Sequence, residues 1–172
     1  DVDGVIVALK KAASSNASFC TGISNASFCT GIDSDSCRET PLMIAVRFGD
    51  ENAVPMVRLL LEAGANTNAQ DSYGWTALMH TSTGPDYGVE LMRFLLKAGA
   101  DPDKQNNDGE TALMIAIRDA EKEHTEAMVS VLLCNGADPD KQNNDGETAL
   151  MCAAGHSDRR CLETVRVLLE NG

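Results

Sequence analysis

Three histidines, six cysteines and one Asp-rich stretch are the residues of this 172-residue chain best equipped for chemistry. His80, His124 and His156 show no HExxH spacing and no triad-like arrangement with a nucleophile, so they read as surface or junction histidines. The cysteines, Cys20, Cys29, Cys37, Cys134, Cys152 and Cys161, match no CxxC zinc pattern. They read as reduced structural or surface thiols, with disulfides near the N-terminus as the alternative. The stretch Asp101-Pro102-Asp103-Lys104-Gln105-Asn106-Asn107-Asp108-Gly109-Glu110 invites comparison with a calcium loop. An EF-hand counted from Asp101 needs Gly and Glu where this chain has Asn106 and Ala112, so a solvated turn is the better reading. No Gly-rich phosphate loop or activated nucleophile is present. The expectation is a non-enzyme without cofactor or metal.

Two N-glycosylation sequons begin at Asn16 and Asn25, and they carry meaning only in a secreted chain. Trp75 is the single Trp, and it stands where the other units of the repeat below carry Glu. Large aromatics dominate interface energetics, so Trp75 with Tyr73 reads as a binding anchor; local packing across its own loop is the competing reading.

The elements that would position these residues are visible as a repeat. Thr40-Pro41-Leu42-Met43 returns as Thr76-Ala77-Leu78-Met79, Thr111-Ala112-Leu113-Met114 and Thr148-Ala149-Leu150-Met151, at spacings of 36, 35 and 37 residues. Each phrase leads to an apolar run that ends at Gly64, Gly99, Gly136 or Gly172. A period in the thirties marks a stacked solenoid, because one unit cannot bury its own apolar face. Gly-to-Thr spacing is constant at 12 residues, whereas Thr-to-Gly spacing is 24, 23, 25 and 24. Register between units must therefore come from the fixed connecting half.

Within each unit two stretches of helical period flank a polar break. The Thr suits an N-cap, Pro55 and Pro85 suit the start of the second helix, and the Gly suits a left-handed C-terminal stop. The polar stretch that follows reads as a hairpin-like finger.

These motifs resemble the ankyrin-repeat family. The Thr-Pro-Leu-His tetrad of that family is represented by the four Thr-Pro/Ala-Leu-Met phrases, and its Gly-Ala-Asp ending by Gly99-Ala100-Asp101 and Gly136-Ala137-Asp138, with Gly64-Ala65-Asn66 as a variant. The resemblance implies an all-α solenoid of helix-turn-helix units joined by hairpin-like fingers. The expected organisation is a short helix and irregular segment over 1–32, then four units at 33–66, 67–101, 102–138 and 139–172. Two departures stand out. Met replaces the tetrad histidine, which puts its usual tie between units in doubt. Each unit also exceeds about 33 residues, which predicts longer helices or a protruding loop, most of all over Asp119-Ala120-Glu121-Lys122-Glu123-His124.

The resemblance also implies a binding surface on the finger tips and the inward face of each first helix. Carried over position by position, it comprises Glu39 and Arg47 in the first unit and Ser72, Tyr73, Trp75 and Thr83 in the second. The third unit contributes Asn107, Asp108, Glu110, Arg118 and Asp119; the fourth contributes Asn144, Asp145, Glu147 and His156. The implied function is a protein-interaction module. The alternative is an assembly protein whose in-phase ends stack head to tail, since the chain opens on Asp1-Val2-Asp3-Gly4 and stops at Asn171-Gly172, as a mature or excised piece would.

The charge narrows the partner. A net −12 repels nucleic acid and anionic membranes and favours a basic or polar protein. No apolar run reaches the roughly 18 residues of a membrane span, and residues 1–13 lack signal-peptide order. A cytoplasmic setting is the expectation, with secretion the alternative raised by the sequons and cysteines. Residues 99–114 and 136–151 are identical at sixteen positions, and 15–23 and 24–32 are identical nonapeptides, which indicates recent duplication.

Overall fold

A computed structural model of the chain describes residues 39–48, 53–83, 88–119, 124–155 and 160–171. Its helices are α1 (Pro41–Phe48), α2 (Ala53–Glu62), α3 (Ala77–Thr81), α4 (Gly88–Lys97), α5 (Ala112–Asp119), α6 (Thr125–Cys134), α7 (Ala149–Gly155) and α8 (Arg160–Asn171). There is no strand among the described residues.

Each first helix begins where a Thr satisfies an orphan N–H. The hydroxyls of Thr40, Thr76, Thr111 and Thr148 accept from the backbone N–H three residues on, at 3.3–3.4 Å. Met43 and Met79 answer in kind: their Sδ atoms lie 3.3 and 3.4 Å from the N–H of Thr40 and Thr76. In the first two units the methionine of the phrase thus closes a capping box within its own unit. Ties between units are made elsewhere, by the fingers.

The second helices α2, α4 and α6 each end in a Schellman turn. Gly64, Gly99 and Gly136 have φ of +83°, +87° and +87°, a region costly for any residue with a Cβ. The following Ala donates back to Leu60, Leu95 or Leu132 at 3.0–3.1 Å, and the Gly donates to Leu61, Leu96 or Leu133 at 2.9–3.0 Å. The second helices α2, α4 and α6 each have ten residues despite the unequal spacings. The sequence expectation of longer helices is therefore not met by these three. Residues 49–52, 84–87 and 120–123, with Pro85 and most of the expected protrusion, lie outside the described residues, as does all of 1–38.

First helices stack on first helices (α1, α3, α5, α7) and second on second (α2, α4, α6, α8). The core runs through the stack as one layer between the two rows. Leu42, Met43, Leu78, Met79, Leu113 and Met114 fill it from one side, with Val57, Leu95 and Leu132 from the other.

Fingers set the register. Gln70 Nε2 donates to the carbonyls of Gly74 in its own finger and Gln105 in the next, at 2.7 and 2.8 Å. Gln105 repeats the pattern with Gly109 and Gln142. The N–H groups of Asn107 and Asn144 donate to the carbonyls of Tyr73 and Asp108, both at 3.0 Å. Any change in finger length would shift all of these donors out of line, which is the physical reason the 12-residue interval is constant.

Candidate functional site

The tips of three fingers form one row. Ser72 and Tyr73, Asn107 and Asp108, and Asn144 and Asp145 are exposed, and they are held side by side by main-chain bonds and by Asn side chains. Asn107 Nδ2 donates to the Ser72 carbonyl and Asn144 Nδ2 to the Asn107 carbonyl, both at 2.9 Å. Tyr73 is 55% exposed and stands at one end of this row. Asp108 and Asp145 supply its negative charge.

Behind each tip an acidic or amide side chain folds the turn. Asn106 Oδ1 accepts from the N–H groups of Asp108 and Glu110, at 3.0 and 2.8 Å, and Asn143 does the same for Asp145 and Glu147. Asn106 Nδ2 also donates to Glu110, whose carboxylate is paired with Arg118. Glu110 is buried by these partners, so this residue, expected on the binding face, is used inside the protein. Glu39 and Arg47 form the same ion pair two units earlier. Arg118 also bonds Asp119 at 2.9 Å, and chiefly for that reason its guanidinium is held further towards the charged form. Thr83 is exposed, with its hydroxyl 3.3 Å from the His80 carbonyl. Glu147 is exposed. His156, Asn16 and Asn25 lie outside the described residues.

The second unit builds its finger differently. Asp71 replaces the Asn, with Oδ1 accepting from the N–H groups of Tyr73 and Trp75, both at 2.9 Å. Its Oδ2 lies 3.3 Å from His80 Nε2, with both side chains buried. Burial pushes the Asp71 carboxyl up, but the bonds from His80, Trp75 and Tyr73 outweigh it and leave it below the ordinary carboxylate value. Trp75 is half-buried and tilts over the His80 ring, with centroids 5.1 Å apart. His80 is thus no surface histidine, and Trp75 has a packing role. The sequence signal for both was available: His80 occupies the helix position that holds Ile44, Ile115 and Cys152 in the other units.

Asp71→Asn should preserve the turn, as Asn106 and Asn143 do, and lose only the link to His80. Asp71→Ala should cost about 1–3 kcal/mol more, because the N–H groups of Tyr73 and Trp75 lose two hydrogen bonds at a net ~0.5–1.5 kcal/mol each. Urea denaturation of the two variants measures the difference.

Among the described residues, Glu39, Asp71 and His80 form a grouping that could hold a cation. Free thiols described are Cys134, exposed, and Cys152, half-buried. Burial pushes the Cys152 thiol up, which keeps it a neutral packing group and a poor nucleophile. No described helix is long and apolar enough to cross a membrane.

The family model for ankyrin repeats (3 copies) matches residues 9–84 and 82–172. The chain belongs to the ankyrin-repeat family. A solved ankyrin repeat domain from Acinetobacter baumannii AYE is 32% identical, with a TM-score of 0.69 over 78% of this chain. The match covers 65% of that domain's chain, so this ankyrin array spans just under two thirds of its length. No curated protein matches the sequence. Ankyrin repeats are in general non-catalytic modules for protein–protein interaction, and the all-α stack described above is their architecture.

Proposed function

We propose that this ankyrin array binds a basic or polar segment of a protein partner along the finger-tip row and the adjoining first helices. The observation that carries the reading is the row itself: an exposed Tyr73 followed by Asp108 and Asp145 on tips locked together by hydrogen bonds. A rigid row loses little conformational entropy on binding, and an aromatic at its end supplies the apolar anchor that acidic tips lack. Trp75 supports that anchor from behind, since it packs on His80 while its neighbour Tyr73 faces solvent.

Peptides selected on the chain from a random display library should be enriched in Lys and Arg. Tyr73→Ala combined with Asp108→Asn and Asp145→Asn should weaken their binding at least tenfold, with helicity unchanged. Equal binding to the triple variant would move the site away from the tips.

A second reading, head-to-tail assembly, is favoured by the apolar side chains exposed on the fourth unit. Leu150, Met151, Leu162 and Leu169 are exposed there, and Gly146 meets nothing where Gly74 and Gly109 each receive the next finger. Such a face is complementary to another ankyrin unit. Light scattering across a concentration series tests it: a mass that does not change with concentration rules the assembly out.

A further inference from the structure

We infer that Glu39, Asp71 and His80 form a binding site for one divalent transition-metal ion, Zn²⁺ by chemistry, at the junction of the first and second ankyrin units. One ligand atom from each lies within 4.8 Å of the other two. Asp71 Oδ2 and His80 Nε2 are 3.3 Å apart, close to the edge of a tetrahedron with metal–ligand bonds of about 2.1 Å. The third arm must close in by up to about 1.4 Å to complete such a shell. Glu39 is the residue able to do so: its side chain is the longest of the three and the least buried, 14% exposed against 4% for Asp71 and 8% for His80. A carboxylate has two oxygens, so Glu39 can keep its pairing with Arg47 while the other oxygen turns to the ion.

An independent observation supports the assignment. The second unit departs from the third and fourth at three positions that meet in space. The neutral amide of Asn106 or Asn143 becomes the carboxylate of Asp71; Glu110 or Glu147 becomes Trp75; Ile115 or Cys152 becomes His80. A plain turn needs none of these changes, because Asn106 and Asn143 already fold it. Together they remove an amide donor, add an anionic ligand and a borderline-soft nitrogen, and cover the imidazole with an aromatic face. The two carboxylates of Glu39 and Asp71 share one guanidinium, that of Arg47, which Glu39 alone pairs with in the observed ion pairs. The imidazole selects Zn²⁺ and its transition-series neighbours over Ca²⁺ and Mg²⁺, which prefer oxygen-only shells of six or more. The ligands come from two units, so the ion would clamp the first unit to the second.

Trp75 is the chain's single Trp, beside His80, and reports on the site directly. Titration of the reduced full chain with Co²⁺ should quench its fluorescence saturably, at one ion per chain. Zn²⁺ should reverse the quenching, and Mg²⁺ and Ca²⁺ should not. Glu39→Gln and Asp71→Asn should each weaken the response at least tenfold while circular dichroism stays unchanged. Ions held by cysteines elsewhere do not depend on Glu39 or Asp71, so the variants separate the two. Absence of saturable quenching, or an unchanged affinity in both variants, would overturn the site and leave a hydrogen-bonded Asp71–His80 pair.

Discussion

Met114→Ala is expected to cost about 2–5 kcal/mol of unfolding free energy, whereas Met151→Ala should cost less than about 1 kcal/mol. The two methionines end identical sixteen-residue segments, so the sequence leading into each and its capping Thr are the same, while the helices continue as Ile115-Ala116-Ile117 and Cys152-Ala153-Ala154. Their surroundings differ. Met114 is 1% exposed between the units before and after it, and Met151 is 56% exposed. Truncation at Met114 removes side-chain contacts and leaves a cavity in the shared core; at Met151 it removes atoms already in water. Urea denaturation of both variants therefore compares the two settings of this Met with the preceding sixteen-residue segment held constant. Equal losses would mean that the fourth unit is covered in solution by something else, which a second copy of the chain would explain. Repeating the pair at low and high protein concentration distinguishes that case, since coverage by a second copy fades on dilution.

What could be read from the sequence follows the range of the interactions involved. Thr caps, Gly stops and the constant finger are local devices, each set by a few consecutive residues, and the helices and stacking order follow from them. The expected tips Tyr73, Asn107, Asp108, Asn144 and Asp145 are exposed and adjacent for the same reason. Glu110 went astray because its burial depends on Arg118, a full helix away; the matching pair Glu39 and Arg47 was the available clue. His80 required more. Its burial arises from Asp71 and Trp75 in its own finger and from Glu39 in the preceding unit, and no periodicity shows which side chains meet across a junction. The Met of the phrase was similarly opaque: a thioether is a weak acceptor, and only the backbone geometry brings Met43 and Met79 onto the N–H of their capping Thr.

Gly109→Ala should disrupt the fingers strongly, and Gly146→Ala is its control. Both glycines have left-handed backbones, φ +77° and +79°, so an added Cβ brings the same conformational strain of about 1–2 kcal/mol. At Gly146 nothing lies near that Cβ. At Gly109 it would stand 2.7 Å from the Asn144 nitrogen and 2.6 Å from Asn144 Oδ1, closer than real carbon contacts allow. The fingers of the third and fourth units must then separate. Separation breaks the bond from the Asn144 N–H to the Asp108 carbonyl and that from Asn144 Nδ2 to the Asn107 carbonyl. It also loosens the bond from Gln105 to the Gln142 carbonyl. At a net ~0.5–1.5 kcal/mol each, these losses bring Gly109→Ala to about 3–6 kcal/mol. In a solenoid, stability is a sum of unit and interface contributions, so the damage falls on one interface. The denaturation curve of Gly109→Ala should therefore split, with the fourth unit melting first, whereas Gly146→Ala should shift a single transition. A single, equally shifted transition in both variants would show that the fingers follow the helical stack and do not set its register.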